Sequence, residues 1–145
     1  MMAENGLLSR DKNNKKNNKY GSILVIEDDD SLRDYLAELL ELSGFNVILA
    51  EDGNHGMSKF KQHMPNLVLT DVVMPGKDGI SLTIQFKKLH PDVRVIAMSG
   101  RWMSDSDVDC SNAAVLLGVD RILSKPFSAR NLKDAILDLV QLEPA

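Results

Sequence analysis

Five short apolar runs, each followed by a helical pattern or stop, limit what this chain can fold into more than any other feature. Ile23-Leu24-Val25-Ile26 is the first run. Leu32, Tyr35, Leu36, Leu39 and Leu40 then recur at i, i+3, i+4, i+7 and i+8, the spacing of one buried helix face, and Gly44 supplies the stop. Val47-Ile48-Leu49 is the second run, after which Met57, Phe60 and Met64 mark a helix ended by Pro65. Leu67 to Thr70 is the third, followed by Leu82, Phe86 and Leu89 and a stop at Pro91. Val93 to Met98 is the fourth, leading through a polar loop to a helix through Ala113, Val115 and Leu116. Ile122-Leu123 is the fifth, and Ser128 caps a last helix with Leu132, Ala135, Ile136, Leu139 and Val140 on its inner face.

Short apolar strands alternating with helices mean a parallel sheet covered on both faces. Right-handed crossovers and five units of this size predict a doubly wound α/β fold with strand order 2-1-3-4-5. In that order the first and third strands are neighbours where the winding reverses. Ligands bind in such sheets just outside the carboxyl ends of the strands.

Three features fall at those ends. Glu27-Asp28 follows the first strand, Asp71 closes the third before a Pro/Gly-rich loop, and Lys125-Pro126-Phe127 follows the fifth. Three carboxylates in one crevice repel, and one would be pushed towards protonation without compensation. A divalent cation supplies it. Mg²⁺ binds through one or two carboxylates together with phosphate oxygens and water. With Lys125 added, the charges of such a site cancel, and an incoming phosphoryl group meets no net repulsion. Asp71 can then serve as a nucleophile that forms an acyl phosphate, with Lys125 stabilising the transferring oxygens. Asp29 and Asp30 read instead as capping residues at a helix start.

These motifs resemble the receiver domain of two-component response regulators, from about Gly21 to Leu142. Ile23-Leu24-Val25-Ile26-Glu27-Asp28-Asp29 is similar to the family's first strand and acidic pair. Asp71-Val72-Val73-Met74-Pro75-Gly76-Lys77-Asp78-Gly79 is similar to its phosphoacceptor motif, and Lys125-Pro126-Phe127 to its lysine with a cis proline. The resemblance implies a flavodoxin-like, CheY-like (βα)5 three-layer sandwich over residues 22–143, after a leader at 1–21. It implies Asp71 as the aspartyl-phosphate acceptor and Glu27, Asp28, Asp71 and the Val73 backbone carbonyl as ligands of Mg²⁺, with Mn²⁺ as a substitute. Ser99 is similar to the switch hydroxyl, and Gly100 keeps access open. The implied donor is a sensor histidine kinase or histidine phosphotransfer protein, and a further downstream protein receives the signal. Two departures stand out. Ile122 occupies the place of an aromatic that swings inward on phosphorylation, and the stretch from Ser99 to Lys125, with Trp102 as either a contact or a lid, is longer than usual.

Rival classes fare worse. An aspartyl-phosphate phosphatase needs a second aspartate two residues after the first, where this chain has Val73. A flavin or nucleotide module needs backbone donors after the first strand, where this chain has Glu27-Asp28-Asp29-Asp30. A degenerate receiver, acting only as an interaction module, would be marked by loss of Asp71, Asp28 or Lys125. Five basic residues against two acidic ones give +3 through Gly21, so the overall −4 leaves −7 on the body. An acidic body argues against nucleic acid as partner. The Asn/Lys-rich leader has no apolar period and reads as disordered. The lone Cys110, a small hydrophobe, and the lack of a signal-peptide core or spanning segment point to a cytoplasmic protein outside the membrane. His55, His63 and His90 lack ligand spacing. The chain reads as a stand-alone receiver, with phosphorelay intermediate, phosphate sink and diffusible regulator all open.

Val73 and Arg101 lie two residues past Asp71 and Ser99 and border the approach of hydrolytic water. Valine cannot orient a water, and arginine can cover a phosphoryl group with its planar fork. The aspartyl phosphate should outlive that of chemotaxis-type receivers, and Val73→Asn with Arg101→Glu should shorten its lifetime. Release of radiolabelled phosphate measures this, and slower release from the double variant would show the steric argument to be wrong.

Overall fold

The computed structural model describes residues 21–72, 79–100 and 118–141. In chain order the elements are β1 (Ser22–Ile26), α1 (Asp30–Leu42), β2 (Asn46–Ala50), α2 (Gly53–His63), β3 (Leu67–Asp71), α3 (Gly79–Leu89), β4 (Arg94–Ser99), β5 (Arg121–Ser124) and α4 (Ala129–Gln141). The five strands are parallel and ordered β2-β1-β3-β4-β5, as the alternation of runs predicts. The leader, the loop from Val73 to Asp78, and the helix expected through Ala113, Val115 and Leu116 fall outside the described residues.

Period-two alternation sends successive strand residues to opposite faces, and among the described residues each face meets two helices. On one side Ile23, Val25, Leu67, Leu69, Ile96 and Met98 pack with Leu36 and Leu40 of α1 and Leu132, Ala135, Ile136 and Leu139 of α4. On the other, Leu24, Ile26, Ile48, Val68 and Val95 pack with Met57 and Phe60 of α2 and Leu82 and Phe86 of α3. The Phe60 and Phe86 rings stack at 4.2 Å, joining the two helices. Gly56 lets α2 ride close to the sheet, since a Cβ there would lie 2.6 Å from Ile26 Cδ1.

Local signals set the helix ends. The Asp29 carboxylate accepts from the Leu32 N–H at 3.1 Å, which makes it the cap of α1. At the other end, the Gly44 N–H donates to the Glu41 carbonyl and the Phe45 N–H to the Leu40 carbonyl, both at 3.1 Å. This paired pattern closes a helix around a residue at positive φ, here Gly44 at 105°. Phe45 and Leu40 then meet in the core. Ser128 caps α4 through its hydroxyl, which accepts from the Asn131 N–H at 3.0 Å.

Three expected face markers are largely exposed. Tyr35 sits on the flank of α1, about 100° from Leu36, and is 49% exposed. Leu89 closes the last turn of α3, and Met64 is the left-handed cap of α2 rather than part of it; both are over 40% exposed. The amino end of β5 is held by charge: Asp120 accepts from the Val95 N–H at 2.7 Å and from Lys87 at 3.0 Å, with Arg94 at 3.7 Å.

Gly44→Ala should destabilise the fold by about 1–2 kcal/mol, because a Cβ is unfavourable at positive φ. Urea denaturation gives the difference, and an unchanged midpoint would contradict the assignment of Gly44 as the stop.

Candidate phosphoacceptor site

The site is built where β1 and β3 lie side by side. Their register pairs Ile26 with Thr70, so Glu27 and Asp71 emerge together at the carboxyl edge of the sheet. Carboxylate oxygens of Glu27, Asp28 and Asp71 all lie within 4.8 Å of one another. Glu27 and Asp71 are buried at 1% and 8% exposure, whereas Asp28 faces outward. The β3–β4 register sets Asp71 beside Met98, which places buried Ser99 one residue further along β4. The Lys125 N–H donates to the Ser99 carbonyl at 2.7 Å and continues the β4–β5 ladder to the lysine.

From there the Lys125 stem carries its ammonium back to the carboxylates. Nζ donates to Glu27 Oε1 at 2.9 Å and to Asp71 Oδ2 at 3.1 Å. The second Glu27 oxygen, Oε2, accepts from the Asp29 N–H at 3.1 Å. Burial pushes the Glu27 carboxyl above its ordinary range, against the pull of Lys125 and the Asp29 N–H. Burial also works against the charge on Lys125, but the hydrogen bond to Glu27 and the attraction of Asp71 hold the ammonium above its ordinary range. The Lys125–Pro126 peptide is cis.

An all-carboxylate set with one exposed member has the chemistry of a hard, oxygen-seeking divalent cation that keeps part of its water shell. Glu27, Asp28 and Asp71 therefore fit Mg²⁺ by donor type. Five of the predicted site residues, Glu27, Asp28, Asp71, Ser99 and Lys125, come to this edge of the sheet; Val73, Arg101 and Trp102 lie outside the described residues. Ile122 packs against Val72, Ala97 and Val119. The sequence reading missed Arg33, whose guanidinium donates to the Glu27 backbone carbonyl at 2.9 Å and to Asp30. One signal was available: a cation near the start of an acidic helix opposes the helix dipole and needs a local reason.

A doubly wound sheet with an acidic pair, a strand-end aspartate and a bridging lysine at its switch point defines a phosphoacceptor type of signalling module. The family profile of the response regulator receiver domain matches residues 23–137, and the chain belongs to that family. It is 36% identical over 119 residues to a probable transcriptional regulator, ycf27, of Porphyridium aerugineum, covering 82% of this chain and 48% of that protein. It is 31% identical over 115 residues to the chemotaxis protein CheY of Bacillus subtilis, covering 79% of this chain and 92% of CheY. The chain thus spans about half the length of some curated relatives and nearly all of another. Among solved structures, a response regulator receiver domain protein from Clostridium thermocellum superposes with a TM-score of 0.76 at 29% identity, covering 83% of this chain and 94% of that one. Receiver domains are signalling proteins phosphorylated by histidine kinases. Among the described residues, no helix is long and apolar enough to cross a membrane.

Both oxygens of Glu27 already accept hydrogen bonds, whereas Asp28 is outward-facing. Asp28→Asn should therefore weaken Mg²⁺ binding more than Glu27→Gln does. Calorimetric titration of the two variants ranks them, and the reverse order would mean that the acidic pair is misassigned by one residue.

Proposed function

We propose that Asp71 accepts a phosphoryl group from a phosphohistidine donor and that the resulting aspartyl phosphate changes the surface the domain shows to a partner. The observation that carries this reading is the Lys125 ammonium shared between Glu27 and Asp71 at the switch point. A lysine so placed lowers the repulsion that an anionic phosphoryl group meets on approaching a carboxylate. An oxygen of the Asp71 carboxylate attacks phosphorus, the O–P bond forms as the N–P bond to the donor imidazole breaks, and the imidazole leaves with a proton from solvent.

Asp28 and Asp71, with Glu27 and the Val73 carbonyl, are the groups that would hold Mg²⁺, which when bound supplies positive charge opposite the phosphoryl oxygens. Lys125 can transfer its hydrogen bond from Asp71 to the new phosphoryl group, being a mobile point charge on a flexible stem. The Ser99 hydroxyl, at the end of the neighbouring strand, is the second donor for that group. Drawing Ser99 and Lys125 inward pulls on the ends of β4 and β5. Ile122 offers no ring to swing, so the reading assigns the response to the segment that follows Ser99. Retention of Asp71, Asp28 and Lys125 disfavours a degenerate module, and valine at position 73 disfavours a phosphatase.

Incubation with Mg²⁺ and a small phosphodonor, followed by borohydride trapping and peptide mass spectrometry, should place a single modification on Asp71. Labelling should vanish in Asp71→Asn. Labelling that persists in this variant would overturn the assignment.

A further inference from the structure

We propose that Arg33 is a positioning residue that fixes the direction of the Asp28 carboxylate and so prepares the divalent-cation site. The inference rests on reading Glu27, Asp28 and Asp71 as that site. Asp28 projects outward with little packing around it, yet the peptide groups on both sides of it are tied down. On its amino side, the Glu27 carbonyl accepts from Arg33 Nη1 at 2.9 Å. On its carboxyl side, the Asp29 N–H donates to Glu27 Oε2 at 3.1 Å. The first bond fixes the plane from which Asp28 φ is measured and the second fixes the plane that sets ψ. With both dihedrals held, the Cα–Cβ direction of Asp28 is set before any ligand arrives.

Arg33 can play this part because its other nitrogen, Nη2, is anchored on Asp30 Oδ1, and its side chain is only 15% exposed. One planar guanidinium thus spans the β1–α1 connection, from the end of the strand to the first residue of the helix. Its N–H donates to the Asp29 carbonyl at 2.9 Å, so its own backbone belongs to the same first turn. Asp30, with Asp34 and Glu51 further off, attracts its charge, as it would attract a lysine's. A cation in this turn opposes the helix dipole, and it lies close to a site that takes a second cation. Its hydrogen-bond geometry accounts for the position, and that geometry needs two donors in a fixed fork, which lysine lacks.

The sign of the effect separates the two roles. If Arg33 acted only through charge, removing it would leave the cluster more negative and tighten Mg²⁺ binding, and Arg33→Lys would change nothing. Positioning predicts weaker binding in both variants. Calorimetric titration of the whole chain with MgCl₂ should show Arg33→Lys and Arg33→Gln each weakened about tenfold, the scale of lost outer-sphere partners of metal ligands. Circular dichroism melts on the same samples establish that both are folded. Wild-type affinity in Arg33→Lys, or tighter binding in Arg33→Gln, would overturn the proposal. Absence of Mg²⁺ binding in the wild-type chain would overturn the metal-site reading beneath it, a result distinct from equal binding by wild type and variant.

Discussion

Two carboxylates that are almost out of water sit side by side at the end of this sheet, and the Lys125 ammonium between them makes that arrangement tenable. Removing a buried charge's partner typically costs several kcal/mol, because the remaining charge is left without solvent or counter-ion. The fold must therefore deliver a lysine from the fifth strand to the ends of the first and third. That requirement ties the register of β4 on β3 and β5 on β4 to the chemistry of Asp71. A slip of one residue along any of these ladders would turn Asp71 or Lys125 to the wrong face.

The same constraint bears on how the site would meet phosphate under the proposed function. Its three carboxylates are met by one mobile ammonium, which leaves the site net negative and suited to a divalent cation. A phosphoryl group arriving as proposed would compete with Asp71 for Lys125. Val72 just past β3, Ala97 of β4, Val119 ahead of β5 and Ile122 of β5 form a small apolar cluster. The groups there are aliphatic, so this cluster holds no ring whose rotation could carry the proposed response.

Much of this was legible in the sequence because each signal was local. Strand-length apolar runs, helix-period repeats, Gly44 and Ser128 each act within a few residues, and together they give the element order and the doubly wound sheet. Glu27, Asp71, Ser99 and Lys125 were legible as residues at strand ends. Interactions decided by tertiary distance were not. Asp120 meets Lys87 and Arg94 only once the chain has crossed from β4 to β5. Arg33 reads as one more charge on a polar helix until its reach to the Glu27 carbonyl is seen. The exposure of Tyr35, Leu89 and Met64 depends on where each helix overhangs the sheet, which periodicity does not encode.

β5 is held at its two ends in different ways. At Asp120 a backbone amide, a lysine and an arginine grip one carboxylate, and nothing in the phosphoacceptor chemistry touches them. At Lys125 the ladder to β4 closes with the backbone bond to Ser99, and the ammonium beyond it is shared between Glu27 and Asp71. The strand thus carries a charge cluster at each end, one remote from the carboxylate site and one inside it. The stretch from Asp120 to Lys125 is roughly 16 Å at ordinary strand rise. Over that length one strand joins a carboxylate gripped by three partners to an ammonium shared by two carboxylates, so what holds the sheet edge and what serves the site lie at opposite ends of β5.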